Sequence, residues 1–317
     1  MLGITGLPDA VSDVLALVRM RGEFVCANEC SPPWSLSFGG PAGHFHIVER
    51  GSAWIGREGT EALRLEAGDL VMLPLGSGHT LGSDPTLPPL PIEVAVDQAA
   101  RRGSVYRLGG GGEPETHLVC GRFSFAGVLA PKLLEILPQL IRLSGQPGRA
   151  PDWLKLTTDY LIDEIRGPRP GSASMVSHLL DLLFVQALRQ WAAHSAKALG
   201  WLSGLGDRQI GQALSAMHQA PSRAWTVDDL ARLAGMSRSA FAARFTNIVG
   251  ATPLKYLAIW RLDLAADYLR AGDKGIAEIA EMVGYGSESS LTRAFKAQFK
   301  TTPAAFRRGE AVLRSSD

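Results

Sequence analysis

Leu230-Ala231-Arg232-Leu233-Ala234-Gly235-Met236 returns 49 residues later as Ile279-Ala280-Glu281-Met282-Val283-Gly284-Tyr285. Ser237, Phe245 and Pro253 recur as Ser287, Phe295 and Pro303, after one inserted residue, Gly286. Each copy reads as a short helix, a turn at Gly, and a second helix opened by an N-capping Ser. Thr226 starts the first copy, with Asp228 and Asp229 in the opening turn where the helix dipole favours negative charge. Leu230, Leu233 and Ala234 then form an apolar stripe at i, i+3, i+4. Gly235 and Gly284 stand where the chain must leave a helix with positive φ. Phe241 with Phe245, and Leu291 with Phe295, face inward four apart. An ordinary bundle with a duplicated packing pattern is the plainer alternative. Two units in register with matching caps, glycines and aromatics argue instead for tandem helix-turn-helix units, at about 226–246 and 275–296, that read DNA in two places.

Between them, Pro253 to Ala271 has no internal Pro or Gly, and its Leu254, Leu257, Ala258, Ile259, Leu262, Ala265, Ala266 and Leu269 keep helical period. Such a rod spans roughly 25–30 Å at the standard rise per residue. Major grooves recur about every 34 Å, so the rod could carry two recognition helices into successive grooves.

This region resembles the DNA-binding domain of the AraC/XylS transcription regulators, from about Asp207 to Arg308. The resemblance is carried by Trp225-Thr226-Val227, Gly235-Met236-Ser237-Arg238-Ser239, Arg244-Phe245, Thr252-Pro253, Tyr256, Arg261, Val283-Gly284-Tyr285, Ser287-Glu288 and Arg293-Ala294-Phe295-Lys296, with Pro303. Leu291 stands where the family commonly has Phe. Lys300 stands where it usually has Gly, as at Gly250, so a different turn is expected before Pro303. The resemblance implies that Arg238, Ser239, Ala242 and Ala243 of the first copy and Glu288, Ser289, Thr292 and Arg293 of the second face the bases. Arg293 is the best single base reader, because a guanidinium bonds guanine O6 and N7 together, worth roughly 1–3 kcal/mol of discrimination. Arg244, Lys296 and Lys255 are expected on phosphates. A solvated surface charge is the plain alternative for each.

Charge follows the same division. Residues 207–317 hold 15 Lys plus Arg against 11 Asp plus Glu, and residues 1–206 hold 17 against 20, within a chain of net charge +1. The surplus is modest and adds little to the motifs.

The first half has a different texture. Short alternating runs such as Phe45-His46-Ile47-Val48, Ala53-Trp54-Ile55 and Leu70-Val71-Met72-Leu73, separated by Gly and Pro, predict a β-sandwich or barrel. His44-Phe45-His46 with Glu49 and Gly56, then Gly68, Pro74, Gly76 and His79, resemble the two motifs of the cupin barrel over roughly residues 39–83. Pro33-Trp34 and Cys120-Gly121-Arg122-Phe123 further resemble the cupin-type sensor of one branch of AraC regulators. Two departures stand out: Glu49 is one residue too close to His46, and Ser83 replaces the closing Asn. The resemblance implies a site for a small-molecule effector or a divalent metal such as zinc at His44, His46, His79 and Cys120, with Cys30 and His117 as further candidate ligands. The alternative is a set of hydrogen-bonded core histidines in a barrel without metal. Gly109-Gly110-Gly111-Gly112 lacks the Lys and helix context of a phosphate loop.

From Pro131 to His194 the period turns helical, with segments near 131–141, 153–165 and 175–191. Leu179-Leu180, Leu182-Leu183-Phe184 and Leu188 make the third apolar around much of its circumference, which suits either a homodimer interface or burial against the barrel; we expect the interface. The expected architecture is α+β: a cupin-like effector domain at 1–130, a helical dimerisation and connector region at 131–195, a linker at 196–206, and an all-α DNA-binding domain at 207–317. No signal peptide or membrane span is evident, and three cysteines suit a reduced cytoplasmic setting. The expected partners are operator DNA, an unknown small-molecule effector, a second copy of the chain, and RNA polymerase as a further candidate. A transcriptional regulator without catalytic activity is the leading expectation. The rival is a metal-dependent cupin dioxygenase or isomerase fused to a DNA-binding tail, which the short Glu49 spacing disfavours.

Overall fold

The computed structural model describes residues 10–144, 152–194 and 207–309, and places them in two compact units. The segment 196–206, read as a linker, lies outside the described residues.

One unit spans 20–125 and 137–194. Its strands are β1 (Met20–Ser31), β2 (Ser35–Phe38), β3 (Gly43–Arg50), β4 (Ser52–Gly56), β5 (Leu63–Glu66), β6 (Leu70–Leu73), β7 (His79–Gly82), β8 (Leu90–Pro91), β9 (Ala100–Arg102), β10 (Val105–Gly109), β11 (Thr116–Phe125) and β12 (Ile141–Leu143). They form two sheets, ordered β12-β6-β3-β11-β1-β10-β9 and β5-β4-β7-β2-β8. Side chains alternate across each strand, so one face of each sheet supplies the common core. Leu36 and Phe38 of β2, Ala53 and Ile55 of β4, Val48 of β3, and Leu118 and Cys120 of β11 meet there. The β-rich cupin expectation holds.

Two helices of this unit, α4 (Asp152–Arg166) and α5 (Ser172–His194), appear near the predicted limits. Part of the apolar circumference of α5 packs within its own unit, while Met175 and Leu182 stay exposed, a surface that a second copy of the chain could cover. Leu180, Leu183, Phe184 and Leu188 are all buried. Leu180 packs so tightly over Gly22 of β1 that a side chain at Gly22 would clash with it. The Phe184 ring lies 5.3 Å from that of Phe125 and 6.2 Å from that of Phe123. Circumferential apolarity could not separate these outcomes, because a barrel wall and a second helix bury the same side chains.

The other unit contains α1 (Ala10–Val18), α3 (Ala130–Ile136), α6 (Arg208–Gln219), α7 (Val227–Leu233), α8 (Arg238–Val249), α9 (Pro253–Ala271), α10 (Ile276–Val283), α11 (Glu288–Phe299) and α12 (Pro303–Arg307). Helix α2 (Ile92–Gln98) belongs to the barrel unit. Residues 10–19 and 126–136 cluster with the tandem helix-turn-helix units.

Each repeat has its own core. Phe241 and Phe245 pack with Ile210, Leu214, Leu230 and Ala231; Leu291 and Phe295 pack with Ile279, Ala280 and Val283. Fully burying one such side chain contributes about 1.5–3 kcal/mol. The rod α9 is shared between them: Leu257 joins the first core, and Leu262, Ala265, Ala266 and Leu269 join the second. It covers the predicted residues 253–271 without a break.

Lys300 corrects another expectation. It ends α11 with φ 58°, in the left-handed conformation that Gly250 adopts at the end of α8 with φ 80°. The turn is retained despite the missing glycine, and the Lys300 ammonium donates to the Ala297 carbonyl at 2.9 Å.

Candidate nucleic-acid interface and barrel cavity

The first turn of the first helix-turn-helix unit is set by local hydrogen bonds, whereas the second unit opens at Gly275 without a side-chain cap. The Thr226 hydroxyl accepts from Asp229 N while the Asp229 carboxylate accepts from Thr226 N, a reciprocal capping box. Gly235 and Gly284, with φ 64° and 86°, turn the chain between the paired helices. Ser237 and Ser287 then cap α8 and α11, accepting from Ala240 N and Ser290 N.

With Phe241, Phe245 and Val249 turned inward, α8 leaves Arg238, Ser239, Ala243 and Arg244 exposed and Ala242 half-buried. Leu291 and Phe295 orient α11 in the same way. Glu288, Ser289, Arg293 and Lys296 are exposed, and Thr292 is half-buried. Ten of the eleven residues singled out for DNA contact thus lie on or beside the outward side of one of these two helices, and the eleventh, Lys255, is exposed on α9.

Their charges are not equivalent. Arg244 bonds Asp207 through Nε at 3.0 Å and Nη2 at 2.6 Å, and Gln209 through Nη1 at 3.3 Å. Asp207 is itself the N-cap of α6, accepting from Gln209 N and Ile210 N. Those bonds hold the Asp207 carboxyl below its usual range, against the desolvation that raises it. Arg238 pairs with Asp228 at 3.2 Å. Arg293 and Lys296 form no ion pair among the described residues. The Arg244 anchor was missed because its partner lies 37 residues upstream, on a different helix. Arg261 is another such tie, donating to the Pro221 carbonyl at 2.7 Å and the Arg223 carbonyl at 2.9 Å.

In the barrel, the HxH spacing on β3 turns His44 and His46 to the same side. Strand register sets Cys120 opposite His46 and Arg122 opposite His44. His79 opens β7 on the facing sheet. His46 Nε2 lies 2.8 Å from His79 Nε2, and His46 Nδ1 lies 3.1 Å from Cys120 Sγ. The Phe38 ring stacks on His79, with centroids 4.7 Å apart. Burial holds all three imidazoles towards the neutral form, His79 down to about 4. Burial also pushes the Cys120 thiol well up, so it stays protonated at neutral pH.

This arrangement does not suit a metal ion. Cys120 and His79 sit on opposite nitrogens of the His46 ring, so they cannot converge on one point with it. Among the described residues no three or more His, Cys, Asp or Glu side chains are placed to share an ion. Glu49 is exposed at the end of β3. Its odd offset from His46 sends it to the opposite face. His117 is half-buried on β11, one residue out of phase with the inward Leu118, and Cys30 is buried at the far end of β1. Ser83, in place of the motif's Asn, accepts from Trp34 N at 3.1 Å.

Beside the histidines lies a cavity of about 370 Å³, walled by β1, β2, β3, β10, β11 and α2. Leu36, Phe38, Ile92, Val96, Tyr106 and Leu118 supply its apolar surface. Sequence reading missed α2 as a wall, because Ile92 and Val96 lie in a seven-residue helix beyond the motifs. No helix among the described residues is long and apolar enough to cross a membrane.

Comparison with known proteins gives a consistent result. A family described as Cupin matches residues 9–193, and one described as Helix-turn-helix domain matches residues 230–309. An AraC-like transcription regulator of Streptomyces lividans is 35% identical over 95% of this chain and 98% of its own length. The HTH-type transcriptional regulator AlkR of Acinetobacter baylyi is 31% identical, covering 83% of this chain and 86% of that one. The RCS-specific HTH-type transcriptional activator RclR of Escherichia coli is 30% identical over 94% of this chain and 97% of its own.

Proposed function

This chain belongs to the AraC-like transcription regulators that carry a cupin N-terminal domain, and from that premise we propose that it reads two successive major grooves of an operator under the control of a small molecule in the barrel. The observation that carries this reading is the shared rod. One unbroken helix, α9, is packed into the cores of both helix-turn-helix units, so their outward faces are presented by a single rigid element.

In this reading α8 supplies Arg238, Ser239, Ala242 and Ala243 to one groove. Helix α11 supplies Glu288, Ser289, Thr292 and Arg293 to the next. Arg293 reads a base, since its guanidinium is exposed and carries no ion pair among the described residues. Lys296 meets phosphate. Arg244, held by Asp207, contributes positive charge from a fixed position. The protein acts as a dimer on repeated half-sites and has no catalytic step. The placement of Cys120 and His79 on opposite nitrogens of the His46 ring supports an effector over a metal as the signal. The effector shifts the chain between states only if it binds them unequally.

Selection of binding sites from random duplex DNA, followed by footprinting, tests the reading. It expects two protected major-groove segments about one helical turn apart. Protection of a single groove, or binding without sequence preference, overturns it.

A further inference from the structure

The cavity's lining also constrains what it can hold. We propose that the lumen admits a compact, uncharged, largely apolar molecule bearing one or two hydrogen-bonding groups, which are met by Tyr106 and His44. The inference rests on the reading of the lumen as the effector site.

Three observations lead there. First, about 370 Å³ walled mainly by aliphatic and aromatic carbon favours a ligand that sheds apolar surface from water. Second, most of the polar groups inside already satisfy one another. His46 is engaged on both nitrogens by Cys120 and His79, and Asn28 Nδ2 donates to Cys26 Sγ at 3.4 Å. Two are left over: the Tyr106 hydroxyl, with no hydrogen-bond partner among the described residues, and His44, whose buried Nδ1 also has none. A buried polar atom left unpaired is unfavourable, so a ligand group that pairs with either of these gains affinity. Third, the charged side chains in the lining are Glu23, Glu93 and Arg122. Arg122 is spent on Glu23 at 2.8 Å, which leaves the exposed Glu93 as an uncompensated negative charge.

These features reject the other common ligand classes. An anion would meet no free cation in the lumen and would face an acidic lining. A sugar would bury several hydroxyls with two partners among them, each unpaired group losing affinity. A neutral aromatic or branched aliphatic body with a single hydroxyl, carbonyl or amide loses nothing on entry.

The test uses the full chain and three probes: 2-naphthol, its anionic analogue 2-naphthoate, and myo-inositol. Binding is followed by titration calorimetry and by the shift in melting temperature. The expected result is saturable 2-naphthol binding, with 2-naphthoate at least roughly tenfold weaker and inositol without effect. Val96→Trp, which fills the cavity from α2, abolishes 2-naphthol binding. If circular dichroism shows that variant unfolded, Ile92→Trp replaces it from the same helix face. His44→Phe keeps the ring, removes the nitrogen and weakens binding roughly fivefold. Tighter binding of 2-naphthoate or inositol, or 2-naphthol binding that survives the filled cavity, overturns the inference alone. Failure of all three probes to bind overturns both the inference and the lumen as effector site.

Discussion

Lys132 places its ammonium 2.7 and 2.6 Å from the two carboxylate oxygens of Asp263, pinning α3 to the rod that joins the helix-turn-helix units. Asp263 is 2% exposed. A second pair repeats the arrangement one turn further along, with Arg19 at 2.8 Å from Asp267. Arg19 immediately precedes β1, and Lys132 lies in α3, which follows β11 in the chain.

Burial raises the Asp263 pKa, and Lys132 opposes that rise. Lys132→Met removes the opposition and leaves a carboxylate buried without its counter-charge. Because the Lys132 side chain is 35% exposed, the expected loss is about 2 kcal/mol, below the 3–5 kcal/mol of a fully buried pair. The sign with pH follows from a folded pKa above the unfolded one. The penalty is complete above the folded pKa of the variant and disappears as pH falls through it. Urea titrations at pH 7 and pH 5 check this; a deficit that grows on acidification contradicts it.

Arg293 and Lys296 should fail differently. Arg293→Ala is expected to relax preference at one base pair, at roughly 1–3 kcal/mol for the preferred base. Lys296→Ala should weaken all sequences alike and lower the slope of affinity against salt by about one contact. Arg244→Ala should also loosen α6, whose N-cap it holds, and so lower the melting temperature. Affinities on a panel of single-base operator variants, at two salt concentrations, separate the three.

The barrel histidines predict acid lability. His79 has a folded pKa of about 4 against an ordinary 6.5, and burial also lowers His46. The unfolded chain therefore takes up protons first. Stability conferred by neutral His79 is intact above pH 6.5 and declines towards pH 4, by roughly 3 kcal/mol at about 1.4 kcal/mol per unit. His79→Phe should flatten that decline. His46→Ala with His79→Ala should abolish the effector response and leave operator affinity largely intact; collapse of the fold would mark them as core residues instead.

Lys300→Gly should stabilise the second helix-turn-helix unit. A side chain in the left-handed region costs about 1–2 kcal/mol, partly offset by the unfolded-state freedom a glycine adds, so a gain of about 1 kcal/mol is expected. Thermal unfolding reports it, with Gly250 as the internal example of the favoured residue.

Leu183 is fully buried in its own chain. Leu183→Ala should cost about 2–5 kcal/mol, independent of protein concentration. A cost that grows on dilution would place Leu183 in a subunit interface instead.

The repeat was legible because its determinants are local. Caps at Thr226, Ser237 and Ser287, turns at Gly235 and Gly284, and inward aromatics four apart are each fixed by residues within about a turn. The absence of Pro and Gly between 253 and 271 marked the rod to its ends. The HxH pair was legible for a similar reason, since strand pleat alone puts His44 and His46 on one side. Lys300 misleads because its side chain suggests a different turn, whereas the left-handed conformation of Gly250 is kept there.

Sequence by itself therefore determined the two helix-turn-helix units, their spacing, the barrel class and the shared orientation of two histidines, all set by short-range periodicity and capping. Tertiary structure alone decided what those elements meet. It put Cys120 and His79 on opposite sides of the His46 ring, carried α5 against the barrel's own strands, tied Arg244 to a cap 37 residues away, and brought Lys132 to Asp263 across 131 residues. The physical reason is that a side chain's direction follows from its own backbone, whereas its partner depends on how distant segments fold together to bury apolar surface and satisfy polar atoms.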